Sequence, residues 1–413
     1  MLSCETATNN HSPKPQVLVL GTADWDQPIA TNQHYLASEL AIDYEVIFVE
    51  SMGLRKPTWT RTDIARIWSR ITNGRANVTG KRFQPKGLTV VKPLVIPIHV
   101  GLIAKLNRRS LHRQMTKLAS SSVPIVLWTY TPVTYGLEKF AKATVYHCVD
   151  LLGEVKGVSR NLVATKEVEL AAFADMAVGS SPVVAAHLRL QNFHTVELWE
   201  NVADVGLIES AEPQFPARVP GRLIFAGNLT SSKVDFSLLA TLVSAGFDLQ
   251  LAGPIGDPGS ETKELVNALV RSGATYHGHL SLIKLASLYW TCEIGLVPYL
   301  LNSYTQGVSP LKTYEYLAAG LGIVSTAIPS MTAIPGALIV ATPAAFPTAV
   351  SALRAQCELK QIEARRAYAR VHSWVERGDK ARKMVAYLAS NSVQTPRDKA
   401  YRSKETSEGQ TLE

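Results

Sequence analysis

Cysteine is scarce: Cys4, Cys148, Cys292 and Cys357 are the four in 413 residues. They lie far apart and form no Cys-x-x-Cys pair, so neither a zinc-ligand set nor a disulfide framework is indicated. Free thiols fit a reducing compartment. Long apolar runs are missing too. No stretch reaches the roughly 18–20 apolar residues of a membrane span. The nearest, residues 93–106 (PLVIPIHVGLIAKL), contains two prolines and a lysine. The N-terminus, MLSCETATNN, lacks the basic start and apolar core of a signal peptide. A soluble or peripherally bound protein is expected. A dinucleotide oxidoreductase needs a glycine fingerprint after its first strand, and VLVLGTADWDQP has Gly21 alone. No known DNA- or RNA-binding module is visible, so nucleic acid is not an expected partner.

Hydrophobic residues make up 46 % of the chain, enough for ordinary buried cores. The formal charge of +8 is concentrated: between Arg55 and Lys117, 15 Lys and Arg stand against one acid, Asp63. From about Leu102 to Leu118, the apolar Leu102, Ile103, Leu106, Met115 and Leu118 form a rough face. Lys105, Arg108, Arg109, Arg113 and Lys117 are interleaved with it. Such a basic amphipathic helix suits an anionic membrane surface. A solvated charged face over a core helix is the alternative.

Short Val- and Ile-rich runs recur through the first half: 16–21, 44–50, 88–94, 124–130, 143–149, 176–181 and 196–201. They are too continuous for a sheet with one wet face. Helical segments such as Asn32–Ala41 and Leu162–Phe173 alternate with them, the pattern of βαβ units. Pro213, Pro216, Pro220 and Gly221 then break the series, which restarts at 222–227, 248–253, 274–278, 293–299, 322–326 and 337–341. The expected architecture is α/β, with two doubly wound Rossmann-like domains facing across a cleft. The expected boundaries are a polar tail 1–15, a first domain 16–204, a linker 205–221 and a second domain 222–370. A C-terminal helix 371–390 and a disordered tail 391–413 complete the chain. Ligands should sit at the carboxyl ends of the strands.

Residues 302–326, NSYTQGVSPLKTYEYLAAGLGIVST, are the most informative. Ser309 and Pro310 read as N-cap and first helical residue, and Gly320 as C′. The helix N-terminus can face a phosphate. Lys312 in the first turn can add charge there, and Glu315, three residues on, can accept hydrogen bonds from ribose hydroxyls. An i,i+3 ion pair on a capped amphipathic helix is the alternative. Gly227-Asn228, Gly253-Pro254 and Gly278-His279-Leu280 each follow a strand. Glycine lets the backbone approach a ligand; plain turn chemistry is the alternative for any one of them. Their recurrence after strands of one sheet favours a shared cleft. Lys233 is a candidate second cation for a diphosphate, or a solvated lysine at a helix start. In the first half, Asp150 ends the apolar run VYHCV and should emerge at a strand's carboxyl end. It is a candidate base, or a helix-cap or turn aspartate. His147 should face the other way, into the core. Asp24 and Trp25 follow the first strand, as acceptor contacts or a loop cap.

The segment SPLKTYEYLAAG resembles the donor-binding helix of bacterial GT-B glycosyltransferases of the family 1 and family 4 type. Those enzymes act in exopolysaccharide and teichuronic acid synthesis. Supporting pieces are DWDQPIATNQHYLASELA, YHCVDLLGEVKGV, FAGNLTSSKVDF, LAGPIG, YHGHLSLIKLASLYWTCEIGLVPY and HSWVERGDKARKMVAYL, so the likeness runs from Val17 to about Leu388. The resemblance implies a GT-B glycosyltransferase, hexosyltransferase-type, with a nucleotide-sugar co-substrate (a UDP-sugar above others) and no further cofactor. It implies a lipid-linked or polysaccharide-precursor acceptor at the cytoplasmic face of the membrane. Asp150 would be catalytic and Asp24 and Trp25 acceptor-binding. Gly227, Asn228, Lys233, Gly253, Pro254, Gly278, Leu280, Ser309, Lys312 and Glu315 would bind the donor. Many relatives carry two glutamates in the helix region; Glu315 matches the second, and the first falls at Gly307. Thr305 or Gln306 are conceivable substitutes. No metal site is expected: no Asp-x-Asp pair is read in a cleft loop to hold a divalent ion, and Lys312 with the helix N-terminus would neutralise the leaving diphosphate. A GT-B sugar-nucleotide epimerase and a non-catalytic nucleotide-sugar-binding member are the alternatives.

Overall fold

The computed structural model describes residues 14–27, 29–54, 82–120, 122–155, 157–214, 218–256, 260–340, 342–355 and 358–391. The expected tails and the first part of the basic window, residues 55–81, lie outside them. Strands β1 (Gln16–Leu20), β2 (Glu45–Val49), β3 (Leu88–Val91), β4 (Ile125–Thr129), β5 (Ala143–Cys148), β6 (Met176–Gly179) and β7 (Val196–Leu198) form one sheet in the order β3-β2-β1-β4-β5-β6-β7. A second sheet contains β8 (Arg222–Ala226), β9 (Asp248–Ala252), β10 (Thr275–Tyr276), β11 (Ile294–Val297), β12 (Gly322–Thr326) and β13 (Ala337–Val340), in the order β10-β9-β8-β11-β12-β13. Every pairing within both sheets is parallel.

The continuous apolar runs follow from this arrangement. Val17, Val19, Val126 and Trp128 point to one face of the first sheet, and Leu18, Leu20 and Leu127 to the other; helices cover both faces, so both sets are buried. Strand order reverses between β1 and β4, and again between β8 and β11. These switch points open crevices outside the carboxyl ends of the strands, where α/β sheets bind ligands.

The last helix, Trp374–Ser390, returns to the first sheet. Trp374 stacks on Tyr35 with ring centroids 4.8 Å apart. Arg382 pairs with Glu39 at 2.9 Å. Ala381, Met384, Val385 and Leu388 join the core under β1 and β4. Gly378 lets the two helices approach, since a Cβ there would lie 2.2 Å from a Glu39 carboxylate oxygen.

Candidate active site

The Leu311–Ala318 helix begins one residue later than expected. Pro310 occupies the N-cap position, with an extended backbone and no side-chain cap. Ser309 lies one residue before the N-cap, and its carbonyl accepts a hydrogen bond from Asn201 Nδ2. Asn201 Oδ1 in turn accepts from Asn32 Nδ2 at 2.6 Å. The entry to this helix is thereby tied to the first sheet. Gly320 follows the helix with φ +75°, as its C′ position requires.

Glu315 is 3 % exposed. Lys312 Nζ donates to both of its oxygens at 2.9 Å. Tyr289 Oη donates to Oε2 at 2.7 Å. The i,i+3 ion pair, the alternative reading of these two residues, is therefore formed. A sugar hydroxyl could reach Glu315 only if Lys312 swung away, toward a neighbouring phosphate. The Tyr35 hydroxyl of the first half is held above its usual range by burial and by the nearby Glu315 and Asp204 charges.

Three glycine loops line the carboxyl edge of the second sheet. Gly227 N donates to Ala252 O at 2.9 Å, and Gly253 N to Gly278 O at 2.7 Å. Gly253 has φ +135°, and a Cβ there would lie 1.9 Å from Gly227 O. Leu229 N donates to Pro254 O at 2.9 Å. The Asn228 amide lies against Gly256, where a Cβ would meet Oδ1 at 2.3 Å. Gly278, φ +67°, faces open space, and half-buried Leu280 packs on the second core.

Asp150 emerges two residues beyond β5. It caps no helix, because Leu151 takes the N-cap position of the following 3-10 turn, Leu152–Glu154. Burial pushes its carboxyl up to about 6, with Lys233 acting in the other direction. Lys233 comes from the second sheet's side, so the charge that Asp150 feels belongs to the other half of the chain. The Lys233 ammonium lies 4.5 Å from the centroid of the Tyr299 ring. Burial opposes its charge, but Tyr299, Tyr304 and Asp150 outweigh this and hold its pKa above the usual lysine value. His147 is buried among Trp128, Tyr130 and Trp199, and burial drives it down to about 3, so it is a neutral core residue.

Solved structures share the two-sheet fold. Sucrose-phosphate synthase from Thermosynechococcus elongatus superposes with a TM-score of 0.67 at 15 % identity, over 91 % of this chain and 99 % of that one. Anabaena HepE in complex with UDP and glucose gives 0.59 at 13 % identity, over 91 % and 100 %.

The fold is GT-B.

No protein-family model matches the chain. A curated relative, named as a teichuronic acid biosynthesis glycosyltransferase (TuaH) of Bacillus subtilis (strain 168), is 26 % identical over 232 residues. That match covers 49 % of this chain and 52 % of the relative, so the chain spans about half the length of the curated relative it matches. These findings agree with the likeness to family 1 and family 4-type enzymes.

The GT-B frame explains the missing first glutamate. A Cβ at Gly307 would lie 2.9 Å from Leu151 Cδ1 and Cγ. Leu151, the neighbour of Asp150, fills the space a longer side chain would need. Ser181 Oγ also donates to Gly307 O at 2.9 Å. Thr305 does not offer a replacement: its hydroxyl bonds the Leu300 and Asn302 carbonyls and its N–H bonds Asn302 Oδ1. Gln306 is exposed.

The expected acceptor contacts divide. Asp24 is exposed, but the Trp25 side chain is a core residue at 2 % exposure. Its ring packs on His34 and Phe48 at 5.4 and 5.2 Å. The Trp25 backbone N–H donates to buried Glu50 Oε1 at 2.8 Å, and burial raises the Glu50 carboxyl. Asp24 and Asp26 form an Asp-x-Asp pair around Trp25, on the first-domain side. Asp26 Oδ1 accepts from Arg82 N at 2.9 Å, and the Arg82 guanidinium donates to the Trp25 and Gln27 carbonyls at 2.9 Å.

The Gly101–Leu118 helix buries Asn107, Leu111 and Met115. Its outer side carries Lys105, Arg108, Arg109 and Arg113, all exposed. The apolar residues expected on one face divide between two. Met115 turns to the core, whereas Leu102 (77 % exposed) and Leu106 (56 %) stand among the cations. Leu94, Ile96 and Val100, which precede the helix in the chain, are exposed as well. Among the described residues no helix is long and apolar enough to cross a membrane.

Proposed function

We propose that this chain is a glycosyltransferase that moves a sugar from a nucleotide-diphosphate donor, a UDP-sugar, to a lipid-linked or polysaccharide-precursor acceptor. The observation that carries the reading is the second-domain helix whose first turn holds Lys312 hydrogen-bonded to Glu315, with Asp150 of the first domain near enough to feel the Lys233 charge. Lys312 and Lys233 would neutralise the diphosphate, Glu315 would take the ribose hydroxyls, and the glycine loops would seat the base and pyrophosphate. Asp150, ionised above about pH 6, would receive the acceptor hydroxyl proton. The bound UDP of HepE and the curated relative's name support the donor and the polymer-synthesis setting. The exposed Leu102, Leu106, Lys105 and Arg109 support contact with an anionic cytoplasmic membrane face.

A panel of nucleotide sugars tests the donor. A ligand at ~100 times its Kd raises stability by roughly 2.7 kcal/mol. UDP-sugars are expected to raise the melting temperature, and a panel without effect would overturn the reading. Turnover is expected to persist in excess chelator. Loss in EDTA with rescue by Mg²⁺ would instead bring Asp24 and Asp26 into the chemistry.

A further inference from the structure

β5 and β6 run parallel and end in register, with Cys148 beside Gly179. The residues that follow, Val149-Asp150 on one strand and Ser180-Ser181 on the other, therefore leave the sheet side by side. Gly179 keeps this corner tight. A Cβ there would lie 2.7 Å from Ala185 N, so the next helix, Pro182–Leu190, packs directly on the strand end. Both serines are fully buried. One hydroxyl suffices to cap a helix, and Ser181 Oγ does so, accepting from Val184 N at 3.2 Å. The Ser180 hydroxyl is not needed there.

It holds the acid's turn instead. Ser180 Oγ donates to Val149 O at 2.6 Å, and Ser180 N donates to Cys148 O at 3.1 Å. Cys148 Sγ donates to Asp150 O at 3.2 Å. Burial holds that thiol above its usual pKa range, so it keeps the proton it donates. The carbonyls of three consecutive residues, 148 to 150, are thus each fixed. Among the described residues no side chain hydrogen-bonds the Asp150 carboxylate, so the backbone turn sets its position. The corner also reaches the second half. Ser181 Oγ donates to Gly307 O at 2.9 Å, and Leu151 packs against Gly307. Two adjacent serines thereby touch both the acid's turn and the loop before the Leu311–Ala318 helix.

We propose that the Ser180-Ser181 corner is a positioning device for sugar transfer: Ser180, with Cys148, aims the Asp150 carboxylate, and Ser181 registers it against the donor loop. The inference rests on the reading of Asp150 as the base. Carbon-13 at the aspartate carboxyls of the full chain gives a readout that needs no donor, the Asp150 signal being the one missing from Asp150→Asn. Ser180→Ala and Cys148→Ala are expected to let the carboxyl reach water, so that it titrates lower, toward the ordinary carboxylate range. UDP release, with water as acceptor, is measured on the UDP-sugar that most raises the melting temperature. Both variants should slow it about 10- to 100-fold at unchanged Kd for that UDP-sugar. Cys148→Ser, which keeps a hydrogen-bond donor, should recover most of the rate. Added to Asp150→Asn, Ser180→Ala should cost less than about 3-fold more, because residues acting as a unit are not additive. Ser181→Gly, a tolerated N-cap, should slow release without moving the titration. A full Ser180→Ala loss in the Asp150→Asn background, an unmoved Asp150 titration, or a weakened UDP-sugar Kd would overturn the positioning role. Ser181→Gly at full rate would sever the link to the donor loop. Full-rate release by Asp150→Asn would remove the base itself, and this inference with it.

Discussion

Burial pushes the Asp150 carboxyl from its ordinary 3.8 to about 6. The sign of the consequence can be worked out. The folded pKa exceeds the unfolded one, so the residue disfavours the folded state once pH rises through about 6, and does so little below about 4. Asp150→Asn removes that cost. For a half-buried group near Lys233 the gain is discounted to about 1–2 kcal/mol at pH 8. Transfer should move the opposite way, falling on the order of 10²–10⁴-fold while donor affinity holds. In the unsubstituted protein, the rate should rise with pH up to about 6 and then level off. Calorimetry at pH 4 and 8, with kcat and donor Kd, measures all of these. A variant that is stabilised yet fully active would leave Asp150 without a role in transfer. Glu315 offers a second case. Glu315→Ala should weaken nucleotide binding by roughly 1–3 kcal/mol. Lys312→Ala should weaken diphosphate more than nucleoside. Tyr289→Phe keeps the ring and removes one of Glu315's donors, so it should reproduce part of the Glu315→Ala loss. Equal UDP affinity in all three folded variants would place the donor elsewhere. Tyr289 was not legible beforehand, because its hydroxyl meets Glu315 across 26 residues of sequence.

Elements were legible to different degrees, for physical reasons. The central strands were legible because a parallel sheet buried on both faces favours unbroken apolar runs, as in β1, β4, β8 and β11; the short edge strand Thr275–Tyr276 is neither apolar nor buried. The donor helix was visible, but its start was misplaced by one residue. Ser309 has cap chemistry, yet its carbonyl is turned toward Asn201, 108 residues away, which no local pattern records. Asp150 could be placed from its strand end, whereas the Leu151–Gly307 packing that accounts for the missing glutamate is long-range. Trp25 failed for the converse reason: a loop position gives no sign that Phe48 and His34 enclose the ring. In the basic helix, periodicity revealed amphipathicity but not which leucines the sheet would cover. The exposed stripe yields a prediction at this scale. Lys105→Gln, Arg109→Gln and Arg113→Gln together should release the protein from phosphatidylglycerol vesicles. About 1 kcal/mol per cation gives a loss on the order of 10²-fold in cosedimentation affinity. Retained binding that is also insensitive to salt would remove this helix from the membrane contact.

The whole molecule depends on the chain crossing back from the second sheet to the first. The second core contains residues from Ala203 to Ala369 and none from the Trp374–Ser390 helix. The first core, by contrast, takes Ala381, Met384, Val385 and Leu388 from that helix. Trp374 adds a buried ring stacked on Tyr35. Burying a large apolar side chain stabilises by about 1.5–3 kcal/mol. Trp374, Met384, Val385 and Leu388 together therefore contribute roughly 6–12 kcal/mol, comparable to the whole stability of a typical domain at about 5–15 kcal/mol. A chain ending at His372 should consequently lose the first domain while the second still folds. Asp150 would disappear from the assembled cleft, but Lys312, Glu315 and the glycine loops would remain in place. The shortened chain is expected to show one cooperative melting transition, of reduced enthalpy, that UDP still shifts, together with rapid proteolysis of residues before about 200. It should have no transferase activity. A chain ending at Asn391 is the control and should behave as the full-length protein. If the His372-ended chain kept two-domain melting and protease resistance, the returning helix would be an accessory to the first core rather than part of it. If UDP no longer shifted the surviving transition, donor recognition would require the first domain, and Tyr35 and Asn201, which reach toward Glu315 and Ser309, would be the residues to examine.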